Sequence, residues 1–560
     1  MDLSGQEAPR GLGGRIANLD QRRLGLALMV IATILAGALI LWLERGTTYM
    51  SDEWAWIGYA SNAPVLDTLR PINGHLSVIP LLVSKLSLSL WGTDIFPLKI
   101  VQLVGVLASG GILYAFSRPR VGPLVALAPA MVPMFLGTGA AILLQPLIGL
   151  QVIYSLAFGA GALLAVERGS RGGDIAACLL MVLSLASFSI GIAFLAGLAL
   201  AILLFPDSLR RAYVFVVPLA LYVAWWLWAQ KYSPANGPEL SNVPAIPFYY
   251  VDSIASVTLA LFGRAVMIGP GPGTSLFVEG FTLEQASAFV VFAAVEVVAI
   301  FFLARRLVRR WPLPPMFWAT LGTVLALWTI QALVLTEGRT PGQPRYIYPG
   351  AVVLALFVVE AVRHVRLSRR AAGIILALTV VGIAGNMPRF KEGRDAIDYH
   401  APRNLSYIGL MDLEGSNADP NFYPASDTPN ASPAGALSVS VQGYQELSSR
   451  YGGFGYSPER ILEQNDEIRH GSDEVLVAML RLGLVPASEG SSGGAGCSTA
   501  KTPSGGLKVT LPRGGVAVGR LEAGRPALLR IPPDSARLPW VLEAPRAGSL
   551  RVCAIGAGGA

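Results

Sequence analysis

Leu24-Gly-Leu-Ala-Leu-Met-Val-Ile-Ala-Thr-Ile-Leu-Ala-Gly-Ala-Leu-Ile-Leu-Trp-Leu43 is an unbroken run of about twenty uncharged residues. At ~1.5 Å per residue a helix of that length covers the ~30 Å hydrocarbon core of a bilayer. The residues that follow, Leu41-Trp-Leu-Glu-Arg45, hold no small-residue cleavage site, so the run is expected to stay as a membrane helix rather than leave as a signal peptide. Working outward, similar runs fall at 96–117, 123–138, 146–166, 174–188, 192–205, 212–230, 286–304, 314–335, 347–362 and 371–386, which predicts about eleven crossings. Composition agrees: of 560 residues, 53% are hydrophobic and only 14% charged, with mean hydropathy +0.53. A single soluble core is excluded, and the expected class is a polytopic α-helical membrane protein.

Arg and Lys collect in short cytoplasmic loops, so the basic clusters orient the chain. These are Arg22-Arg23, Arg118 with Arg120, Arg168 with Arg171, Arg210-Arg211, Arg305-Arg306 with Arg309-Arg310, and Arg363 with Arg366, Arg369 and Arg370. All fall on one side if 174–205 crosses twice as two short helices hinged near Ser189-Ile-Gly191. The N-terminus is then cytoplasmic and the C-terminus extracytoplasmic. Three segments face outward: loops 44–95 and 231–285, and the tail from 387.

The formal charge of +7 does not signal nucleic acid. The basic excess lies wholly within residues 1–386, where it is the topological bias, and no outward basic tract carries interleaved aromatics. Cys178 lies in a span, whereas Cys497 and Cys553 lie in the tail, where an oxidising compartment favours a disulfide between them. The sequence holds only four histidines and no metal-ligand spacing.

The chain therefore divides into a membrane domain, 1–386, and an extracytoplasmic domain, 387–560. Within the latter, 387–486 reads as mixed helical, with helix over Glu392–Leu410, a Ser457-Pro458-Glu459 start, and Ser472 capping a helix through Leu482. Residues 487–506 are a Ser/Gly-rich linker. Residues 507–560 hold strand candidates at Leu507–Leu511, Gly515–Gly519, Ala527–Ile531, Trp540–Glu543 and Ser549–Ala554, as expected of a small β-sandwich that positions or packs.

The first outward loop reads Ser51-Asp-Glu-Trp-Ala-Trp-Ile-Gly-Tyr-Ala60, then Arg70-Pro-Ile-Asn-Gly-His-Leu-Ser-Val-Ile-Pro-Leu-Leu82, then Leu90-Trp-Gly-Thr-Asp94. Its apolar spacing predicts two helices along the membrane interface, with Trp54, Trp56, Tyr59 and Trp91 as interfacial anchors. Asp52 and Glu53 suit a helix start, where carboxylates meet the positive end of the dipole. A later outward segment, Glu337-Gly-Arg-Thr-Pro-Gly-Gln-Pro-Arg-Tyr-Ile-Tyr348, places Arg339 and Arg345 on the outer side against the usual bias.

An external Asp-Glu after the first span, an Asn-Gly-His and Pro-Leu-Leu stretch some twenty residues on, and an Arg-Tyr pair before a late span together resemble the GT-C glycosyltransferases. The pattern is similar to the protein O-mannosyltransferase and lipid A aminoarabinose transferase branches, over residues 24–386 in layout. His75-Leu-Ser-Val-Ile-Pro80-Leu81 departs from the His-Pro-Pro-Leu of those branches by its displaced proline. The resemblance implies transfer of a sugar from a polyprenyl-phosphate donor to a glycan, lipid or protein acceptor, outside a bacterial plasma membrane. It implies Asp52 as the base that takes the acceptor hydroxyl's proton, with Glu53 in support. Arg345 is the main phosphate ligand it implies, with His75, Arg339, Tyr346 and Tyr348 beside it, since the guanidinium fork suits phosphate. Lys85 and Arg264 are further outward cations with the chemistry of a phosphate site. No cofactor is implied outright. A divalent cation, Mg or Mn, is left open because members of the superfamily differ in needing one.

Glu296 sits mid-span, where an ionisable group is costly and often functional. It favours a second reading, a transporter or flippase for a lipid-linked sugar. A third is an O-antigen-type ligase or polymerase. Neither accounts for the external carboxylate pair.

Overall fold

The computed structural model describes residues 12–50, 52–62, 64–232, 239–263, 313–335, 339–363, 365, 368–414, 418–427, 437–457, 460–461 and 463–479, and the backbone of seven strands between 483 and 555. The helices, in chain order, are α1 (Leu12–Leu43), α2 (Glu53–Asn62), α3 (Val78–Trp91), α4 (Phe96–Val121), α5 (Leu127–Phe135), α6 (Ala140–Leu143), α7 (Pro146–Val166), α8 (Arg171–Ser187), α9 (Ile190–Leu204), α10 (Ser208–Arg211), α11 (Tyr213–Ala229), α12 (Ile246–Phe262), α13 (Pro315–Leu333), α14 (Pro344–Ala361), α15 (Arg369–Glu414), α16 (Pro424–Asp427), α17 (Val441–Tyr451) and α18 (Asp466–Met479). Two compact units emerge. Met1–Arg45, Asp67–Pro80 and Leu98–Arg394 form the first, and Gly46–Leu66, Leu81–Pro97 and Asp395–Ala560 the second. Segments 46–66 and 81–97 thus group with the tail.

Among the described residues seven segments are long and apolar enough to cross a membrane: Asp20–Leu43, Phe96–Val121, Pro146–Val166, Leu240–Phe262, Pro315–Leu333, Pro344–Ala361 and Arg369–Asp412. Shorter apolar helices occupy Val78–Trp91, Leu127–Leu143, Ile190–Leu204 and Tyr213–Ala229. The expected hinge is present, since α8 ends at Ser187, Phe188 is extended and α9 begins at Ile190. Three expectations change. The run 123–138 is a broken element, in which α5 contains Pro133 and gives way to a 3-10 turn at Gly137–Gly139 and then α6. Residues 240–262, expected as outer loop, are helical, a 3-10 turn at Leu240–Ala245 leading into α12. The span expected to stop at 386 continues without a break to Glu414. The expected span 286–304, with Glu296, lies outside the described residues.

Small residues allow the apolar helices to approach closely. A Cβ on Gly197 of α9 would clash with Thr323 Oγ1 and the Ala319 carbonyl oxygen of α13, so these two helices meet backbone to backbone. Asn386 of α15 is 1% exposed. Its side-chain oxygen accepts from the Thr138 amide at 3.0 Å, and its amide donates to the carbonyls of Ala260, Leu261 and Gly382 at 3.0–3.1 Å. Carbonyls at the end of α12 and the amide at the 3-10 break thereby share one side chain as a partner.

Ion pairs fix which helix ends lie together in the first unit. Arg120 at the end of α4 pairs with Glu360 near the end of α14 and, at 2.7 Å, with Glu167 just past α7. Arg363 joins Glu360 at 3.2 Å. Arg211 pairs with Asp174 in the first turn of α8 and donates to the Val166 carbonyl at 2.6 Å. The last turns of α4, α7 and α14 and the first turn of α8 therefore share one end, which gathers the basic clusters around 120, 168–171, 211 and 363. A helix of 17 or 18 residues rises ~25 Å. The far ends of α8 and α14 accordingly lie at the opposite end of the unit.

In the second unit, Tyr49, Trp54, Tyr444 and Phe454 form an aromatic cluster with ring centroids 5.5–6.3 Å apart, edge to face. Trp54 and Trp56 are 0% and 3% exposed. They are core residues and not the expected interfacial anchors; of the four, Trp91 is the one that stands well exposed, at 53%. The packing of residues 49–54 on 444–454 is what draws the first outer segment into this unit. The α18 helix begins at Asp466, where Asn465 Oδ1 accepts from the Ile468 amide at 2.9 Å. Ser472, expected as a cap, lies inside it and donates back to the Ile468 carbonyl at 2.8 Å.

Seven strands follow: β1 (Gly483–Pro486), β2 (Cys497–Lys501), β3 (Lys508–Thr510), β4 (Val516–Arg520), β5 (Pro526–Arg530), β6 (Trp540–Glu543) and β7 (Ser549–Ile555). They form two antiparallel sheets, ordered β1-β6-β3 and β2-β7-β4-β5. Each of the five expected strands is present. The range expected as a linker, 487–506, contains β2, whose register sets Cys497 directly opposite Cys553.

Candidate functional site

The sequence Ile72-Asn-Gly-His75 folds as a two-residue turn. The amides and carbonyls of Ile72 and His75 exchange hydrogen bonds at 2.9 and 3.1 Å, and Asn73 and Gly74 both have positive φ, 50° and 79°. This is the type I′ geometry that Asn-Gly favours, Gly74 carrying it without a Cβ clash. The turn is anchored on α11. Trp225 Nε1 donates to the Leu69 carbonyl at 2.7 Å, and Leu76 packs with Trp225 and Ala229.

So held, His75 reaches the hinge between α8 and α9. Its Nδ1 is hydrogen-bonded to Ser189 Oγ, and its ring lies 4.5 Å from that of Phe188. Burial and then the nearby Arg339 guanidinium push the imidazole down to about 4, so it is neutral at physiological pH. Two residues singled out from sequence, His75 and Arg339, thus lie within electrostatic reach of each other in the first unit. Ser189, expected only as a hinge, was the missed third.

Arg345 and Tyr346 open α14 at the same end. Arg345 is exposed, and its guanidinium stacks 5.2 Å from the Tyr346 ring. Tyr249 of α12 lies within electrostatic reach of Tyr346, Asp252 and Arg345. Asp252 is wholly buried and accepts from Ser256 Oγ at 3.3 Å. Sequence reasoning missed it because it fell in the supposed outer loop. Asp252, the one charged residue in the run Ile246–Phe262, was the available signal.

Tyr348 stands apart from the exposed residues. It is fully buried, its hydroxyl donates to the Pro133 carbonyl at 2.8 Å, and a Cβ on Gly139 would clash with its ring at 2.6 Å. It closes the α5 break. Arg264 lies outside the described residues.

In the first unit an apolar cavity of about 500 Å³ runs between α5, α12, α14 and α15, lined by Val257, Leu261, Ala351, Ala355, Val359 and Leu378 among others, and it extends to Val121 and Val362, next to the Arg120 and Arg363 ion pairs. Asn386 and Thr379 are among its few polar neighbours. A cavity of that volume and lining suits a hydrocarbon chain.

The carboxylate pair belongs to the second unit. Asp52 is exposed at the start of α2, its carbonyl accepting from Trp56 at 3.1 Å. Glu53 is fully buried and accepts from the Met50 amide at 3.0 Å, one arm of a capping box. Burial, then Glu53, then Asp94 push the Tyr49 phenol up, so Tyr49 stays protonated. Tyr444 donates to Asp412 at 2.6 Å and accepts from the Phe454 amide at 2.9 Å, locking the cluster beneath α2. Lys85 of α3 is half-buried and donates to the Ala60 carbonyl at 3.2 Å, at the end of α2. One carboxylate is thus structural and its neighbour open to solvent. Among the described residues no three His, Cys, Asp or Glu side chains gather as metal ligands.

No protein-family model matches this chain, and no curated protein matches it in sequence. Among solved structures it is similar to the crystal structure of ArnT from Cupriavidus metallidurans bound to undecaprenyl phosphate, with 13% identity and a TM-score of 0.43 over 80% of this chain and 88% of that one. It is also similar to the archaeal oligosaccharyltransferase AglB from Archaeoglobus fulgidus in complex with an inhibitory peptide and a dolichol-phosphate, with 13% identity and a TM-score of 0.38 over 78% of this chain and 60% of that one. Neither likeness assigns a residue or a ligand to this chain.

Proposed function

We propose that this chain is a membrane glycosyltransferase of the GT-C kind, moving a sugar from a polyprenyl-phosphate donor to a cell-envelope acceptor on the outer face of the plasma membrane. The observation that carries the reading is exposed Arg345 at the end of the first unit opposite the basic clusters, on the helix whose later turns, from Ala351 onward, line an apolar cavity. With the basic end cytoplasmic, Arg345 is outward, the N-terminus inside and the C-terminal unit outside.

In this reading the polyprenyl chain lies in the cavity and the phosphate meets Arg345 and Tyr346. Asp52 takes the proton of the acceptor hydroxyl as that oxygen bonds to the anomeric carbon. The bond from that carbon to the phosphate oxygen breaks, its electron pair leaving on the phosphate, where Arg345 offsets the growing negative charge. Glu53 does not take the proton, since it is buried and holds the start of α2. In the tail, the opposed register of Cys497 and Cys553 supports a cross-strand disulfide.

The test is transfer from undecaprenyl-phosphate sugars by the purified chain in nanodiscs, with envelope extract as acceptor. Asp52→Asn abolishes label transfer while undecaprenyl phosphate still binds, and Arg345→Ala weakens binding at least tenfold. Full transfer by Asp52→Asn removes it as the base, and unchanged binding in Arg345→Ala removes the phosphate assignment.

A further inference from the structure

Asp52 stands one residue before α2, so the place of its carboxylate is set by the helix Glu53–Asn62. At ten residues α2 is shorter than the ~12–15 that an isolated helix needs to persist in water, so its position depends on what it packs against. The contact of Glu53 with the Met50 amide shapes the start of α2 but does not fix the helix within its unit. That comes from α17, in the same unit, which meets α2 at both ends. At the start, the Trp54 ring lies edge to face 6.3 Å from Tyr444 of α17 and 5.7 Å from Phe454. At the end, Arg450 in the last turn of α17 donates to the Ser61 carbonyl, one of the last four that a helix leaves without an internal partner.

Tyr444 is in turn held on α15. Its hydroxyl donates to Asp412 Oδ1 at 2.6 Å and accepts from the Phe454 amide at 2.9 Å, while Asp412 Oδ2 accepts from the Gly455 amide at 3.2 Å. The Tyr456 amide donates to the Leu405 carbonyl at 2.9 Å. Leu405, Gly409 and Asp412 share one face of α15, and a Cβ on Gly455 would clash with the Gly409 backbone, so segment 452–456 lies directly against that face. One phenol thus ties α17, segment 452–456 and α15 into the seat on which Trp54 rests.

We propose that Tyr444 and Arg450 are positioning residues for the transfer, acting through Trp54 and Ser61 to hold α2, and with it Asp52, where the base must stand. The inference rests on the reading of Asp52 as the base and deepens it, since it makes segment 441–456 part of the working site. Neither side chain is assigned to the reacting atoms. A base takes a proton from within ~3 Å, and a displacement of ~1 Å costs on the order of a hundredfold in rate. A clamp on both ends of α2 therefore bears on kcat and not on donor binding, which the same reading gives to Arg345 and the apolar cavity.

The test compares Tyr444→Phe, Arg450→Met and Asn465→Ala with the parent, as full chains in nanodiscs, by amide hydrogen exchange and by steady-state transfer of label from the undecaprenyl-phosphate sugar that the parent uses. Tyr444→Phe keeps the ring and loses both hydrogen bonds, and Arg450→Met keeps the apolar stem and loses the donors. Each is expected to speed exchange in α2 at least tenfold with exchange in α7 unchanged. Each is also expected to lower kcat at least tenfold, well below its unfolding midpoint, with the donor KM within twofold. Asn465→Ala removes the cap of α18 in the same unit and is expected to leave kcat within twofold, which separates clamping from general loss of stability. Unchanged exchange in α2, or a kcat within twofold of the parent, removes the role from the residue concerned. A fall in Asn465→Ala as large as in the other two overturns the proposal, as does a raised KM with kcat unchanged. If Asp52→Asn keeps full transfer while Tyr444→Phe and Arg450→Met lose kcat, the Asp52 reading fails and the clamp on α2 stands. If Asp52→Asn abolishes transfer while both variants keep kcat, the Asp52 reading stands and the clamp falls.

Discussion

His75 offers the sharpest physical prediction, because it is held neutral by its surroundings. Its imidazole falls from an ordinary 6.5 to about 4 in the folded chain, through burial and then Arg339. Below pH 6.5 the unfolded chain gains a proton at this position that the folded chain refuses, so His75 lowers stability as pH falls from 6.5 towards 4 and contributes no penalty above that window. Between pH 7 and pH 5 the linkage amounts to about 2 kcal/mol. Comparison with His75→Gln, which cannot protonate, isolates this term from every other titrating group. Denaturant unfolding of both proteins in the same micelles, at pH 7 and pH 5, should show the parent losing about 2 kcal/mol more than the variant. The ¹⁵N signal of His75 in the folded chain should meanwhile stay that of a neutral ring down to pH 5. Equal losses in the two proteins, or a ring that titrates between pH 6 and 7, would refute the buried, Arg339-facing placement.

Other consequences follow from the same contacts. Glu53→Ala should cost about 1–2 kcal/mol of stability by freeing the Met50 amide, whereas Asp52→Asn should leave the unfolding midpoint unchanged, as read by thermal unfolding of each. Asn386→Ala strips partners from the Thr138 amide and the Ala260 and Leu261 carbonyls, and should cost ~3 kcal/mol or more in unfolding measurements. Arg120→Met leaves the buried Glu360 with Arg363 as its remaining cation and should cost ~3 kcal/mol, while the paired change Arg120→Met with Glu360→Met should recover most of it; a double variant no better than the single would deny the pairing.

Much of the membrane architecture was legible because its signal is local. The run 24–43 and the helix Pro146–Val166 declare themselves by length and lack of charge, and the hinge at Ser189 follows from two runs too short to cross alone. The α12 helix was hidden by Tyr249, Tyr250, Asp252, Ser253 and Ser256, polar residues that it buries or pairs against neighbouring helices. Their cost is offset only by tertiary contacts, which no window of sequence displays. Trp54 and Trp56 misled for the converse reason. An aromatic residue next to a span reads as an interfacial anchor until Tyr444 and Phe454, some four hundred residues on, turn out to cover Trp54. At the site, the residue types pointed to His75, Arg339 and Arg345, but the Ser189 partner, the burial of Glu53 and the structural use of Tyr348 all depend on distant packing.

The most direct measurement is a cryo-electron microscopy map of the chain in nanodiscs supplied with undecaprenyl phosphate. The account predicts the phosphate against Arg345 and Tyr346 and the first isoprene units between α12, α14 and α15, beside Val257, Ala355 and Leu378. A lipid phosphate bound at the opposite end, among Arg120, Arg211 and Arg363, or a cavity filled with the phosphate remote from Arg345, would contradict it.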